Sequence, residues 1–470
     1  MIKVFFSHIN TSNKKKFFFL FLTLFFKTII NFLLLFYIAK VVNVSDFGSF
    51  TLSFVVMSIG VLLIDYGYNL HSLVLDYNNK EEIFEKISSI ISGKFYISTL
   101  LILLTLPILY FISLDETSKK VIIILSISAI PSSFGNFYFS LFKAKNNYKV
   151  ETNGFLIQGL LLIALITINH FLGSKDIVTI SIIVLITKIT YFIYSFFQFK
   201  NEFSIQFRLS IRNAIQSYAK SYNYGVHLIF GTLIIYVETL FLSYFSDMET
   251  VGYYQAGLRL IMAASLFGAI ITDGFVPEIS KNQNDKKFVT NKMLNLFTFL
   301  GVFYFLTAFT LATYFKTIIN TLLSSDFQLI ENYTIYIILI ILCRAVGIVP
   351  GVILTSLGLQ RIRARVAIFL LLLSIILNLF LVPFYGLEGA FMSFLVTNVL
   401  LTGFYFYYSF KEINFINFIS LKLIFLLLCY PLALFFISKD NLLHLCISIL
   451  FCLLILLFTQ KNLNKRNVKN

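Results

Sequence analysis

Long apolar runs, separated by short polar connectors, occupy most of this chain. Each run holds about 20 mainly apolar residues, the length that a helix needs to cross a bilayer core of roughly 30 Å. Such runs exceed the roughly 10 residues of a barrel strand, and other structures leave backbone groups unpaired in lipid. We therefore predict an all-α polytopic membrane protein with about 14 transmembrane helices. The predicted spans are 17–39, 48–66, 88–113, 121–142, 155–173, 177–199, 223–245, 253–275, 293–315, 332–357, 366–383, 387–409, 418–438 and 441–459.

Basic residues are unevenly distributed between the connectors. Of the 37 Lys and Arg residues, 26 lie in or at the ends of one alternate set of connectors and 6 in the other set. Short connectors rich in Lys and Arg stay on the cytoplasmic side during membrane insertion. We therefore predict a multi-pass protein of the bacterial cytoplasmic (inner) membrane with both termini cytoplasmic. The net charge of +15 then reflects topology, and we expect membrane lipids rather than nucleic acid as partners.

The connectors leave little room for an enzyme. The longest cytoplasmic connectors, 67–87 and 200–222, are too short for a catalytic domain, and no G-x-x-x-x-G-K-[ST] phosphate loop occurs. All 4 cysteines fall within spans at spacings that suit neither disulfides nor zinc. Because 58% of the residues are hydrophobic and 13% are charged, we expect the functional side chains to lie on the membrane-spanning helices. These features predict a transporter and not an enzyme, with no cofactor and no bound metal.

The two halves of the chain repeat one pattern. A glycine beside aromatic residues stands before the second span of each half, that span closes on an aspartate, and a proline interrupts the fourth span. Because the matched positions lie six spans apart, an even number, both halves have the same orientation in the membrane. We predict parallel repeats related by an axis along the membrane normal, as two six-helix lobes around a central cavity. The matched pairs are Gly48 and Gly252, Asp65 and Asp273, and Pro131 and Pro350.

This repeat sets the predicted domain organisation. Residues 1–222 form an N-terminal lobe with spans 1–6 and a connector, and residues 223–415 form a C-terminal lobe with spans 7–12. Residues 416–470 hold spans 13 and 14, which lie outside the repeat, and a cytoplasmic tail. Rocking of the two lobes would move a substrate by alternating access.

Short motifs near the span ends carry a family resemblance. They are 46–50 (DFGSF), 65–67 (DYG), 251–259 (VGYYQAGLR), 357–361 (LGLQR) and 377–390 (LNLFLVPFYGLEGA). In this order, over about residues 15 to 410, the chain resembles the Wzx-type polysaccharide flippases of the multidrug/oligosaccharidyl-lipid/polysaccharide exporter superfamily. The resemblance implies two six-helix lobes around a central cavity. It also implies a substrate built as an oligosaccharide on undecaprenyl pyrophosphate.

Charged side chains inside the spans are the candidates for substrate binding. A charge at a membrane helix centre costs about 2.5–3.5 kcal/mol, so such residues usually face a cavity or a partner. Lys and Arg supply countercharge for a pyrophosphate. We therefore predict a binding site of four cations and an amide on the same face of span 1 as the first cation. These residues are Lys27, Asn31, Lys188, Arg259 and Arg344. Lys94, near the cytoplasmic start of span 3, is instead expected to reach the lipid headgroups.

Titratable residues of spans 7 and 8 are candidates for energy coupling. Glu238 and His227 lie near one face of span 7, and Asp273 closes span 8. We predict that these three residues couple transport to H+ or Na+. Structural alternatives stay open: Glu238 pairs with a cation, Asp273 holds a loop turn, and His227 is a packed core residue.

The favoured function is a flippase that moves undecaprenyl-pyrophosphate-linked oligosaccharides to the outer leaflet for O-antigen, capsule or a related surface polysaccharide. Its protein partners would be a polysaccharide polymerase and a chain-length regulator. A first alternative is a cation-coupled multidrug exporter of the same superfamily. That exporter would need an acidic cavity, whereas cations outnumber Glu238 within the spans. A second alternative, a membrane-embedded polysaccharide polymerase, is disfavoured because the external connectors are short.

Overall fold

The computed structural model describes residues 11–73, 80–111, 114–203 and 209–413. Throughout these residues the regular elements are helices. They are α1 (Thr11–Val41), α2 (Val44–Asp65), α3 (Tyr68–Leu73), α4 (Lys80–Phe111), α5 (Glu116–Ala144), α6 (Tyr148–Phe171), α7 (Ile177–Glu202), α8 (Ile211–Leu233), α9 (Val237–Phe245), α10 (Met248–Lys281), α11 (Lys286–Leu322), a 3-10 helix (Ser325–Tyr333), α12 (Thr334–Ser356) and α13 (Gln360–Ile413).

The predicted all-α polytopic membrane fold is confirmed. Among the described residues, eight helices are long and apolar enough to cross a membrane, and the bent pair α8–α9 raises this number to nine. The helices α1 and α10 occupy predicted spans 1 and 8. Predicted spans 13 and 14, and the third predicted domain at 416–470, lie outside the described residues.

The chain separates into two compact parts, unit 1 (Met1–Gly252) and unit 2 (Tyr253–Asn470). Unit 1 contains α1 to α9 and the first turn of α10, and α8 packs against α4 within it. Unit 2 contains the rest of α10 and the helices that follow. The repeat pattern places the lobe boundary one span earlier, at 222/223, and that division stays a prediction.

In unit 1, α1 and α6 run in the same direction. The hydroxyl oxygens of Thr23 and Thr152 lie 2.8 Å apart. Seven residues further along both helices, a Cβ atom on Gly159 would lie 2.4 Å from the Ile30 side chain. Because the two contacts advance together along both chains, the helices are parallel. This packing fixes α1, which carries Lys27, against the start of α6.

The glycines of the two repeated motifs meet each other in unit 1. A Cβ atom on Gly48 would lie 1.9 Å from the Met248 carbonyl oxygen, and one on Gly252 would lie 2.2 Å from the Val44 carbonyl oxygen. Each glycine therefore faces the carbonyl group four residues before the other, and only a residue without a side chain fits there. The repeated glycines lie near the starts of α2 and α10 and let these two helix starts approach closely within unit 1.

In unit 2, α13 reverses its direction at Gly386. This residue has φ +53° inside an otherwise helical segment, a conformation that favours glycine. Asn378 Nδ2 donates to Ser393 Oγ at 2.8 Å, although 15 residues separate them. A continuous helix would hold two such residues about 22 Å apart. The segment therefore forms two helices that pack on each other, as predicted for spans 366–383 and 387–409.

Candidate functional site

Two lysines from different helices of unit 1 come close together at membrane depth. Lys27 lies on α1 and is exposed, and Lys188 lies on α7 and is half-buried. Their positive charges repel each other. In the described part of the chain neither lysine forms an ion pair. These lysines are the first two members of the predicted binding site that the fold brings together.

A carboxylate and a third lysine complete this group. Lys143 Nζ, in the last turn of α5, lies 2.8 Å from Glu151 Oε1, in the first turn of α6. The helix N-terminus favours a carboxylate at that point. Lys27 is repelled by Lys143 and attracted by Glu151. We call Lys27, Lys143, Glu151 and Lys188 the unit-1 cation cluster, and its formal charge is +3 − 1 = +2.

Lys94 does not reach the headgroups, so that prediction is wrong. Its side chain is fully buried, and Nζ lies 3.1 Å from Asp65 Oδ1 and 2.9 Å from Ser133 Oγ. The rings of Tyr68 and Phe137 flank the ammonium group, with centroids at 5.8 and 5.5 Å. The packing of α2, α4 and α5 encloses Lys94 and supplies its countercharge, so this lysine is a structural residue.

In unit 2, Arg344 is held by neutral oxygen atoms. Its Nε donates to Ser265 Oγ at 3.0 Å, and its Nη1 lies 3.4 Å from Asn398 Oδ1. These partners come from α10 and α13, whereas Arg344 lies on α12 and is half-buried. No carboxylate of the described residues lies within ion-pair distance of it. After Lys27 and Lys188, Arg344 is therefore a third intramembrane cation that has no ion pair among the described residues.

The other predicted binding residues have individual environments. Arg259 is half-buried on α10, where its Nη2 donates to Gln255 Oε1 at 2.6 Å. Asn31 is half-buried on α1, one turn from Lys27. Arg259 and Arg344 both belong to unit 2, whereas Lys27, Asn31 and Lys188 belong to unit 1.

The predicted coupling residues are only partly described. Glu238 is buried in the first turn of α9. The side chains of His227 and Asp273 lie outside the described residues, although their backbones belong to α8 and α10. Their predicted coupling roles stay predictions.

Four residues beside these cations were missed by the sequence reasoning, namely Lys143, Glu151, Ser265 and Asn398. Glu151 lies in a predicted cytoplasmic connector, 143–154, so its proximity to Lys27 could not be read from the connector pattern. Asn398 gave a usable signal, because an amide inside a long apolar span needs a polar partner.

A family model described as polysaccharide biosynthesis protein matches residues 14–283, which is 270 of the 470 residues. The chain belongs to the polysaccharide biosynthesis protein family. This membership confirms the resemblance that the motifs indicated. The capsular polysaccharide biosynthesis protein CapF of Staphylococcus aureus is 26% identical over 208 residues, which cover 43% of this chain and 49% of CapF. The chain thus matches about half the length of that relative.

Solved transporter structures share the fold of this polysaccharide biosynthesis family member. The lipid II flippase MurJ, in an inward closed conformation, matches with a TM-score of 0.72 and 17% identity over 96% of this chain and 99% of MurJ. A variant of the Vibrio cholerae MATE transporter VcmN matches with a TM-score of 0.59 and 15% identity over 85% of this chain and 96% of VcmN. At these identities the likeness shows the fold alone. The family member therefore has a multi-helix transporter fold of the MurJ and MATE type.

Proposed function

We propose that this protein is a flippase. It moves undecaprenyl-pyrophosphate-linked oligosaccharide units from the cytoplasmic to the outer leaflet by alternating access, for O-antigen, capsule or a related surface polysaccharide. It would act in the bacterial cytoplasmic membrane with both termini cytoplasmic. A polysaccharide polymerase and a chain-length regulator would receive its product. Family membership and the transporter fold support this proposal.

The unit-1 cation cluster is the observation that carries the proposal. A lipid pyrophosphate has about two negative charges, and these charges are costly in a low-dielectric slab unless cations counter them. The cluster has a formal charge of +2 from three lysines and one glutamate. Lys27 remains exposed, so a headgroup can reach it. The proposed role of Lys27 and Lys188 is to bind the pyrophosphate, with Asn31 as a neutral contact beside them.

The same charge argues against the multidrug exporter, because a positively charged site repels cationic drugs. The proposal keeps Arg259 as a further contact for the pyrophosphate. It also keeps Glu238 as the residue that couples flipping to H+ or Na+.

Flipping can be tested with the full chain in liposomes that contain a fluorescent undecaprenyl-pyrophosphate oligosaccharide. Quenching of the label in the outer leaflet measures the initial flipping rate. Each of Lys27→Gln and Lys188→Gln removes a charge-assisted contact of about 1.5–3 kcal/mol, so the rate should fall about 10- to 100-fold.

Lys175→Gln is the matched control, because Lys175 is an exposed lysine of the connector between α6 and α7 in unit 1. It should flip the substrate at the wild-type rate. Wild-type rates in both Lys27→Gln and Lys188→Gln would refute the pyrophosphate site. Transport of a cationic dye without flipping of the glycolipid would favour the exporter.

A further inference from the structure

Arg344 differs from Lys94 and Lys143 in the chemistry that surrounds its charge. Lys94 is matched by a carboxylate at 3.1 Å, and Lys143 is matched by one at 2.8 Å. Among the described residues, the hydrogen-bond acceptors of Arg344 are the neutral oxygen atoms of Ser265 and Asn398, and Tyr304 and Tyr254 lie near it. A guanidinium group stays protonated in proteins, so it cannot escape the cost of burial by losing its proton. A guanidinium group that stays charged at membrane depth, with neutral hydrogen-bond partners among the described residues, points to an anionic ligand.

Both neutral partners are turned toward Arg344 by bonds of their own. Ser265 Oγ donates to the Ile261 carbonyl at 2.8 Å, which leaves its lone pairs for the arginine. Asn398 Nδ2 donates to the Phe394 carbonyl at 2.7 Å, which directs Oδ1 away from that carbonyl. Ser265 and Asn398 are both more than nine-tenths buried. The guanidinium plane is therefore oriented by the helices themselves before any ligand binds.

The donors that remain on Arg344 form one fork. Nε and one hydrogen of Nη1 are directed to Ser265 and Asn398, so the second Nη1 hydrogen and the Nη2 group are left. Nη2 has no hydrogen-bond partner in the described part of the chain. It is also not one of the buried polar atoms there, so it is open to a ligand. Two adjacent N–H groups in one plane match the two coplanar oxygens of a carboxylate.

The pyrophosphate has a proposed site of its own in the unit-1 cation cluster, whose formal charge is +2. We propose that Arg344 binds a carboxylate on the sugar portion of the substrate. The substrate is then a lipid-linked oligosaccharide that contains an acidic sugar. This inference rests on the proposed flippase function and reassigns Arg344 from the pyrophosphate to the glycan.

Two synthetic substrates test the inference in liposomes with the full chain. Both carry undecaprenyl pyrophosphate and the same oligosaccharide, except that one has glucuronic acid where the other has glucose. A bidentate charge-assisted contact should make the acidic substrate flip about tenfold faster at low concentration. In Arg344→Gln the ratio of the two rates should fall toward one. Arg344→Lys should keep part of the ratio, because it retains the charge and loses the fork.

The control variant is Arg361→Gln, which removes an exposed arginine near the start of α13 and should leave the ratio unchanged. Equal wild-type rates for both substrates would overturn the inference and leave the flippase function intact. An equal fractional loss on both substrates in Arg344→Gln would assign Arg344 to the pyrophosphate or to folding. If the two rates become equal when the liposomes contain phosphatidylglycerol, the fork binds anionic phospholipid headgroups and not the sugar carboxylate. Failure to flip either substrate would overturn the proposed function together with the inference.

Discussion

Two regions of unit 1 differ in the countercharge that they give to an intramembrane lysine. Around Lys94, the helices α2, α4 and α5 close completely and place Asp65 3.1 Å from the ammonium group. Around Lys27 and Lys188, no carboxylate of the described ranges lies within ion-pair distance of either lysine, and Lys27 stays exposed. A lysine in an apolar span is therefore structural where the fold supplies its countercharge. Where the fold leaves the charge uncompensated, a ligand can supply it.

The largest expected effect comes from Lys94→Met. This variant leaves Asp65 buried without its partner, and breaking a buried pair costs about 3–5 kcal/mol of unfolding free energy. The sequence pattern predicted that Lys94 reaches the lipid headgroups, where its removal would cost little stability, and the buried pair with Asp65 overturns that expectation. Thermal unfolding of the purified protein in detergent measures the loss.

Two further variants control this experiment. Adding Asp65→Asn to Lys94→Met should recover much of the stability, because no unpaired charge then remains buried. Lys145→Met breaks the more exposed pair with Glu202, 2.8 Å long, and should cost only about 0–1 kcal/mol. A melting temperature of Lys94→Met equal to that of the wild type would contradict the structural role.

A middle-sized effect is expected from Glu151→Gln, which removes the carboxylate of the unit-1 cation cluster. The formal charge rises from +2 to +3, and Lys143 loses its partner at 2.8 Å. We expect a loss of about 1–3 kcal/mol in unfolding free energy, measured by the same melting experiment. Lys143→Gln is the matched variant. It breaks the same pair but should cost less, because Lys27 still attracts Glu151 and is no longer repelled by Lys143. The opposite order would mean that Glu151 does not hold the cluster together.

A smaller change in stability is expected from Lys188→Met. This lysine has no carboxylate partner in the described part of the chain and repels Lys27, so its removal should alter the unfolding free energy by less than about 1 kcal/mol. Flipping of the lipid-linked oligosaccharide should nevertheless fall sharply. The comparison with Lys94→Met is decisive, because a loss of stability as large as in that variant would make Lys188 structural as well.

The smallest expected effect concerns His71. Unlike Lys94, Lys27 and Lys188, this basic residue is kept uncharged by its surroundings. Burial lowers the pKa of His71, and nearby Lys220 and Lys86 lower it further, so the ring stays neutral at pH 7. It shares a hydrogen bond of 2.8 Å with Ser221. Because the folded pKa lies below the ordinary value of 6.5, this contribution to stability is complete above pH 6.5 and decreases as the pH falls below it.

Melting temperatures measured between pH 7.5 and about pH 5 would check this prediction. The wild type should lose more stability on acidification than His71→Gln, which cannot be protonated. An identical pH dependence of the two proteins would show that His71 does not contribute.

The membrane fold could be predicted from the sequence because lipid imposes a simple rule on it. Long apolar runs must form helices, and the spans 366–383 and 387–409 were separable because Pro383 and Gly386 interrupt a single run. The pairing of Gly48 with Gly252 was visible as a repeat. Their mutual contact was not, because it depends on how the starts of α2 and α10 pack within unit 1.

The sequence by itself determined where the charges lie in the spans, since each Lys or Arg stands out against apolar neighbours. It could not determine which of them are neutralised. Lys94 finds its carboxylate 29 residues away, and Arg344 finds its neutral partners 79 and 54 residues away. Helical periodicity specifies only which side chains share one helix face. Partners on other helices depend on how the helices pack, so only the tertiary structure decided which cations are left for a ligand.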